Sequence, residues 1–196
     1  MAQMIKAIIF DCFGVLVAEA WEPFCDKYFG TGTQLRQEAR DIGKQLNLGL
    51  ISYDEFLKRT AALANISFQE TQDYINSNQP NQPLFELLNN MLVGHYKLGM
   101  LSNAGSNRLM DLFLPEQLKV FDSIVLSYEY KYVKPQPEIY EIACEKLGVQ
   151  PKECIFVDDI ERYCAAAELL GMKAIWYQNF GQMKQELEAL LAGSDH

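Results

Sequence analysis

The chain has 196 residues, 49% hydrophobic and 22% charged, with a formal net charge of −9. That length fits one large domain, or a core domain with a small insert, and the apolar content is enough for a core without disulfides or structural metal. So acidic a surface repels nucleic-acid backbones and anionic lipid, which excludes both as expected partners; a small anionic ligand stays open, because a cation and one or two lysines can reverse the potential inside a pocket.

Residues 5–10, IKAIIF, form a short apolar run rich in β-branched side chains that ends at Asp11 and then Gly14. This reads as a buried parallel strand opening into a turn. The run is broken by Asp11 and is far too short to span a bilayer, so no membrane or targeting segment is expected. Residues 18–82 lack strand-like runs and show helical spacing instead: Trp21, Phe24 and Tyr28; Leu35, Ala39, Ile42 and Leu46; Tyr53, Phe56, Leu57 and Ala61; then Phe68 to Ile75. Ser52 before Glu55 and Ser67 before Glu70 are helix-start signals, and the polar NQPNQP tract closes the segment.

From residue 84 the chain alternates. Helices are expected at 84–92, 107–118, 138–147, 162–170 and 182–191, and strands at 96–101, 123–126, 154–157 and 173–176. This rhythm predicts an α/β fold: a doubly wound, Rossmann-like parallel sheet (1–17 and 83–196) with an inserted small all-helical cap (18–82). The five cysteines, Cys12, Cys25, Cys144, Cys154 and Cys164, form no Cys-x-x-Cys pair, and the histidines His95 and His196 neighbour none of them. They read as reduced core thiols of a cytoplasmic protein.

In such sheets ligands bind outside the carboxyl ends of the strands. Asp11 follows the first strand, Ser102 and Asn103 the second, Lys134 lies in the loop after the third, and Asp158-Asp159 follow the fourth. Adjacent carboxylates at a buried strand end repel unless something positive compensates. With Asp11 and a main-chain carbonyl they offer an all-oxygen donor set, which suits Mg²⁺. Lys134 can neutralise charge and hold a phosphoryl oxygen, and Ser102 and Asn103 can donate hydrogen bonds to a bound anion.

These residues resemble the haloacid dehalogenase-like superfamily, in its phosphatase-rich branch with a helical cap. IIFDCFGVLV is similar to its first motif, LSNAG to the second, KPQPEIY to the third and FVDDIERYCAAAELLGM to the fourth. The resemblance implies a Mg²⁺-dependent hydrolase of a small phosphorylated metabolite. Asp11 would be the nucleophile, passing through an aspartyl-phosphate; Ser102 and Lys134 would stabilise the transferring group, with Asn103 binding substrate. Asp11, the Phe13 carbonyl, Asp158 and Asp159 would hold the metal. The oligomeric state has no signature in the sequence.

Two positions depart from the family pattern. Most phosphatases of the superfamily carry a second aspartate where Phe13 stands, acting as general acid and base, a contribution of ~10²–10⁴-fold in rate. Its absence implies a preference for substrates whose leaving group needs little protonation, such as anomeric sugar, aryl or acyl phosphates, with Glu19 and Glu22 as nearby replacement carboxyls. It also admits a catalytically weak or inactive binding protein. A 2-haloacid dehalogenase is the third reading, opposed by the acidic pair. Tyr163 replaces the Asn or Asp that relatives often use to fix the metal loop. On the cap, Arg36, Arg40, Lys44 and Arg59 could reach a second anionic group, and Tyr128, Tyr130 and Tyr132 could edge the pocket or cover a subunit contact.

Overall fold

The computed structural model describes residues 4–106 and 108–193. Strands β1 (Ala7–Phe10), β2 (Lys97–Ser102), β3 (Ser123–Leu126), β4 (Cys154–Asp158) and β5 (Lys173–Trp176) form one five-stranded sheet in the order β3-β2-β1-β4-β5, every pair parallel. Side chains alternate across the sheet, as the pleat requires. Ile8, Phe10, Ile155 and Val157 enter one core with Leu84, Leu88, Met183 and Leu187. Ala7, Ile9, Cys154 and Phe156 enter the other with Ile139, Tyr140, Ala143 and Ala167. Both faces are therefore covered, which is why the strands read as unbroken apolar runs.

Four helices follow β1: α1 (Trp21–Phe29), α2 (Gln34–Asn47), α3 (Tyr53–Ala64) and α4 (Phe68–Ile75). Ser52 and Ser67 cap α3 and α4, accepting the N–H groups of Glu55 and Glu70 at 3.1 Å. The segment carries its own apolar clusters, one around Phe24, Phe29 and Ala39 and one around Leu46, Phe56 and Leu57. The chain enters and leaves it side by side: Val17 bridges Pro80 in antiparallel fashion, Ala18 N–H donates to the Gln79 carbonyl at 3.0 Å, and Asn81 N–H to the Leu16 carbonyl at 2.9 Å.

The remaining helices are α5 (Gln82–Leu87), α6 (Leu109–Leu112), α7 (Pro115–Leu118), α8 (Ser127–Tyr130), α9 (Pro137–Leu147), α10 (Glu161–Leu169) and α11 (Phe180–Ala192). Two expectations need correction. The helix expected over 107–118 is two short helices, because Leu114 is extended ahead of Pro115, which starts α7; Asn107 lies outside the described residues. The helix expected over 84–92 begins at Gln82 and widens into a π-turn at Leu88–Leu92. All five cysteines are buried and free. Among the described residues no helix is long and apolar enough to cross a membrane.

Candidate active site

The sheet order reverses direction between β1 and β4, so the crevice of a doubly wound fold opens there. Phe10 pairs with Val157, which sets the next residues, Asp11 and Asp158, side by side at the carboxyl ends. Asp11, Ser102, Lys134 and Asp158 are all buried, at 6%, 1%, 2% and 0% exposure. The Lys134 ammonium lies between the carboxylates, 2.8 Å from Asp11 Oδ1 and 2.6 Å from Asp158 Oδ2. Asp158 Oδ1 accepts the Ile160 N–H at 2.9 Å. Asp11 Oδ1 also accepts the Cys12 N–H at 2.6 Å, which leaves Oδ2 without a protein donor among the described residues.

Asn103 is tied to the loop that carries Lys134. Its Oδ1 accepts the Lys134 N–H at 2.8 Å, and its Nδ2 donates to the Lys134 carbonyl at 3.1 Å and to the Tyr163 hydroxyl at 3.3 Å. Both amide hydrogens are engaged, so the side chain clamps the backbone of Lys134 at the wall of the cleft. Tyr163 stands over the ammonium, with its ring centroid 5.2 Å from Lys134 Nζ. It shields the cluster from water.

Burial raises the Asp11 carboxyl well above its ordinary range; Lys134 pulls it down, and Asp158 and Asp159 add to the rise. Burial works against a charged Lys134, but the Asp11 and Asp158 carboxylates outweigh it and lift its pKa above the usual lysine value. Asp159 is pushed up to about 6, first by burial and then by Asp158. The cluster thus holds more negative charge than one lysine can balance.

A divalent cation fits that imbalance. Asp11, Asp158 and Asp159 offer carboxylate oxygens that lie within 4.8 Å of one another. Asp159 Oδ1 and Ser102 Oγ are buried with no hydrogen-bond partner. Buried orphans of this kind are rare in folded proteins; here one is an anionic oxygen in an acidic cluster and the other a hydroxyl at a strand end. The Phe13 carbonyl also accepts no hydrogen bond among the described residues. Gly14 makes the approach possible: at φ +90° it takes a conformation that side chains resist, and a Cβ there would collide with the Asp159 carboxylate. An all-oxygen set suits Mg²⁺.

Asp11, Ser102 and Lys134 line a cleft of ≈ 1180 Å³, whose other wall comes from the helical segment, including Trp21, Arg40, Lys44 and Phe56. Arg36 is held in ion pairs with Glu22 and Asp26, and Arg59 pairs with Glu55; of the four candidate cations Arg36, Arg40, Lys44 and Arg59, Arg40 and Lys44 line the cleft. Lys131 and Val133 form the wall where Tyr128, Tyr130 and Tyr132 were candidates. Ser127, which the sequence did not single out, joins the segments: its hydroxyl donates to the Asn47 carbonyl at 2.6 Å and accepts the Ala104 N–H at 3.1 Å. A serine directly after a strand was its only signal.

The order β3-β2-β1-β4-β5, with acidic and basic side chains gathered at the switch point, defines a doubly wound α/β enzyme fold with its chemistry at the carboxyl edge of the sheet. The chain belongs to the haloacid dehalogenase-like hydrolase family, whose model matches residues 5–171. It is 27% identical over 205 residues to mouse acyl-CoA dehydrogenase family member 10, covering 95% of this chain but only 19% of that protein. It is 27% identical over 221 residues to D-ribitol-5-phosphate phosphatase of Bacteroides thetaiotaomicron, covering 96% of this chain and 99% of that enzyme. A solved HAD family enzyme from the same organism, an aspartate-to-alanine variant in complex with magnesium and inorganic phosphate, superposes with a TM-score of 0.68 at 29% identity, covering 87% and 93% of the two chains.

Proposed function

We propose that the protein is a Mg²⁺-dependent phosphatase of a small phosphorylated metabolite, working through an aspartyl-phosphate on Asp11. The observation that carries this reading is the bare Asp11 Oδ2, set beside a buried ammonium and beside the orphaned oxygens of Ser102 and Asp159. Asp11 Oδ2 attacks phosphorus in line with the departing ester oxygen. Lys134 and the Ser102 hydroxyl take two phosphoryl oxygens, and water then releases phosphate from Asp11. Asn103 positions Lys134 and does not bind substrate. Asp11, the Phe13 carbonyl and Asp159 would hold the ion. Asp158 belongs to the same cluster, but its oxygens already hold Lys134 and the Ile160 N–H. When bound, the ion supplies positive charge that keeps Asp11 ionised and screens the incoming dianion.

Residues 18–82 act as a cap on a core of 1–17 and 83–196, closing the cleft and excluding bulk water. The fully covering phosphatase relative and the phosphate-bound neighbour support a phosphate ester as substrate. Halide displacement would leave the acidic cluster without a task.

The test is phosphate release from a panel of sugar and aryl phosphates, with and without Mg²⁺. Turnover should vanish on chelation and in Asp11→Asn, and beryllofluoride should bind the wild type at Asp11. A wild type that releases no phosphate from any member and takes up no beryllofluoride is a binding protein instead, and halide release from a 2-haloacid without metal would make it a dehalogenase.

A further inference from the structure

We infer that the Glu19 carboxyl is the acid and base of this reaction, donating a proton to the departing ester oxygen and later taking one from the attacking water. The inference rests on the phosphatase reading above. An alkoxide is a poor leaving group, so some residue must deliver a proton as the P–O bond breaks. Phe13 lines the cleft and has none to give. Among the described residues, four that line the cleft carry carboxyls: Asp11, Glu19, Glu22 and Asp41. Asp11 attacks phosphorus. Glu22 is engaged by Arg36, and Asp41 sits on α2, where it accepts Gln37 Nε2 at 3.2 Å. Glu19 remains.

The geometry suits Glu19. It follows the paired linkers, one residue beyond the Ala18–Gln79 hydrogen bond, so its backbone is anchored at the base of the cleft. Its Oε1 accepts the Trp21 N–H at 2.5 Å at the start of α1, which fixes the carboxyl on the cleft wall. It lines the same cleft as Asp11, Cys12 and Phe13 of the loop after β1. Burial raises its pKa; the Trp21 N–H opposes this, while Asp159 and Glu22 add to it, so the protonated form persists to higher pH than for a solvated glutamate.

The steps balance. Asp11 Oδ2 bonds phosphorus while the P–O ester bond breaks; the departing oxygen takes the Glu19 proton, giving the free alcohol and a Glu19 carboxylate. That carboxylate then takes a proton from water as the water oxygen bonds phosphorus and the Asp11–phosphate bond breaks. Phosphate leaves and Glu19 is again protonated. A leaving-group preference caused by Phe13 would then surface only when Glu19 is lost.

The experiment compares wild type with Glu19→Gln, which keeps an oxygen for the Trp21 N–H. kcat/KM reports only as far as phosphorylation of Asp11, and it is measured over phosphate esters of graded leaving-group pKa. Wild type should be nearly flat across the series. The variant should fall by ~10²–10³-fold on alkyl phosphates and by under tenfold on 4-nitrophenyl phosphate. It should also give a stoichiometric nitrophenol burst, because phosphoenzyme accumulates without the base. Glu22→Gln should leave the slope unchanged. A Glu19→Gln variant with the wild-type slope, or a drop that is equal for every leaving group, overturns the assignment even though the phosphatase stands. A wild type inactive on every ester overturns the phosphatase reading with it.

Discussion

Replacing Asp159 with asparagine should stabilise the metal-free protein while abolishing its response to Mg²⁺. In the folded state the Asp159 pKa is raised from 3.8 to about 6. A shift of about two units corresponds to ~3 kcal/mol of unfavourable charge. The carboxyl is only partly buried, so screening by solvent reduces this to ~1–2 kcal/mol. The folded state holds this proton more tightly than the unfolded chain does. Metal-free stability therefore falls as pH rises from ~4 to ~6 and stays low above that. For a domain of this size each kcal/mol moves Tm by ~2–4 °C, so Asp159→Asn should melt roughly 2–8 °C higher at pH 7 in EDTA, with a flatter pH profile. Mg²⁺ at about 100 times its Kd should add ~2.7 kcal/mol to the wild type, roughly 5–11 °C, and almost nothing to the variant. The wild-type gain should shrink toward pH 5 as the carboxylates protonate. Thermal melts over pH 4–8, with and without Mg²⁺, provide all of these quantities. An asparagine variant that melts below the wild type in EDTA, or one that keeps the full Mg²⁺ rise, would refute the ion-site reasoning.

Gly14→Ala should lose the Mg²⁺-linked rise in Tm as well, because the added methyl occupies the place of the Asp159 carboxylate at a backbone φ of +90°; melts with and without the ion measure it. Asn103→Ala releases both clamps on the Lys134 backbone. It should lower kcat by ~10²-fold, the scale of a misplacement near 1 Å, while leaving the KM for substrate nearly unchanged; steady-state kinetics separate this from direct substrate binding, which would raise KM.

Much of the fold was legible because buried parallel strands are continuous apolar runs, and a doubly wound sheet puts chemistry at their carboxyl ends and in the loops that follow. Asp11, Ser102, Lys134 and Asp158-Asp159 could be read that way without knowing any distance. The features that escaped depend on pairs remote in sequence. Asn103 and Lys134 are 31 residues apart, and nothing local marks an amide that grips a remote backbone. Gly14 reads as a turn glycine; its second duty, making room for the Asp159 carboxylate, exists only once β1 and β4 are neighbours. The division of the acidic pair, Asp158 toward Lys134 and Asp159 left with an unpartnered oxygen, follows from side-chain directions that adjacent residues cannot reveal. The split at Leu114–Pro115 was legible in principle: the residue before a proline is pushed out of helical conformation, and the apolar spacing across 107–118 masked it.

The helical segment is held over the site mostly by polar ties. Ser127 reaches the Asn47 carbonyl, and Lys131 Nζ reaches the Gly49 carbonyl at 3.3 Å. Leu46 packs where Gly105 leaves space for it, an approach that any Cβ at Gly105 would block. Hydrogen bonds of this kind contribute ~1 kcal/mol each, because water replaces them when they break. Ties of this strength would let the cleft open at little cost if the segment acts as the proposed cap, and the clusters around Phe24 and Phe56 would keep it intact. The paired linkers at Val17 and Pro80 limit where it can go. Glu19 lies between those linkers and α1, so its position is set by both segments. If the segment closes as a cap, a proton donor placed there would be aimed by closure, which would tie departure of the alcohol to exclusion of water from the phosphorylated Asp11.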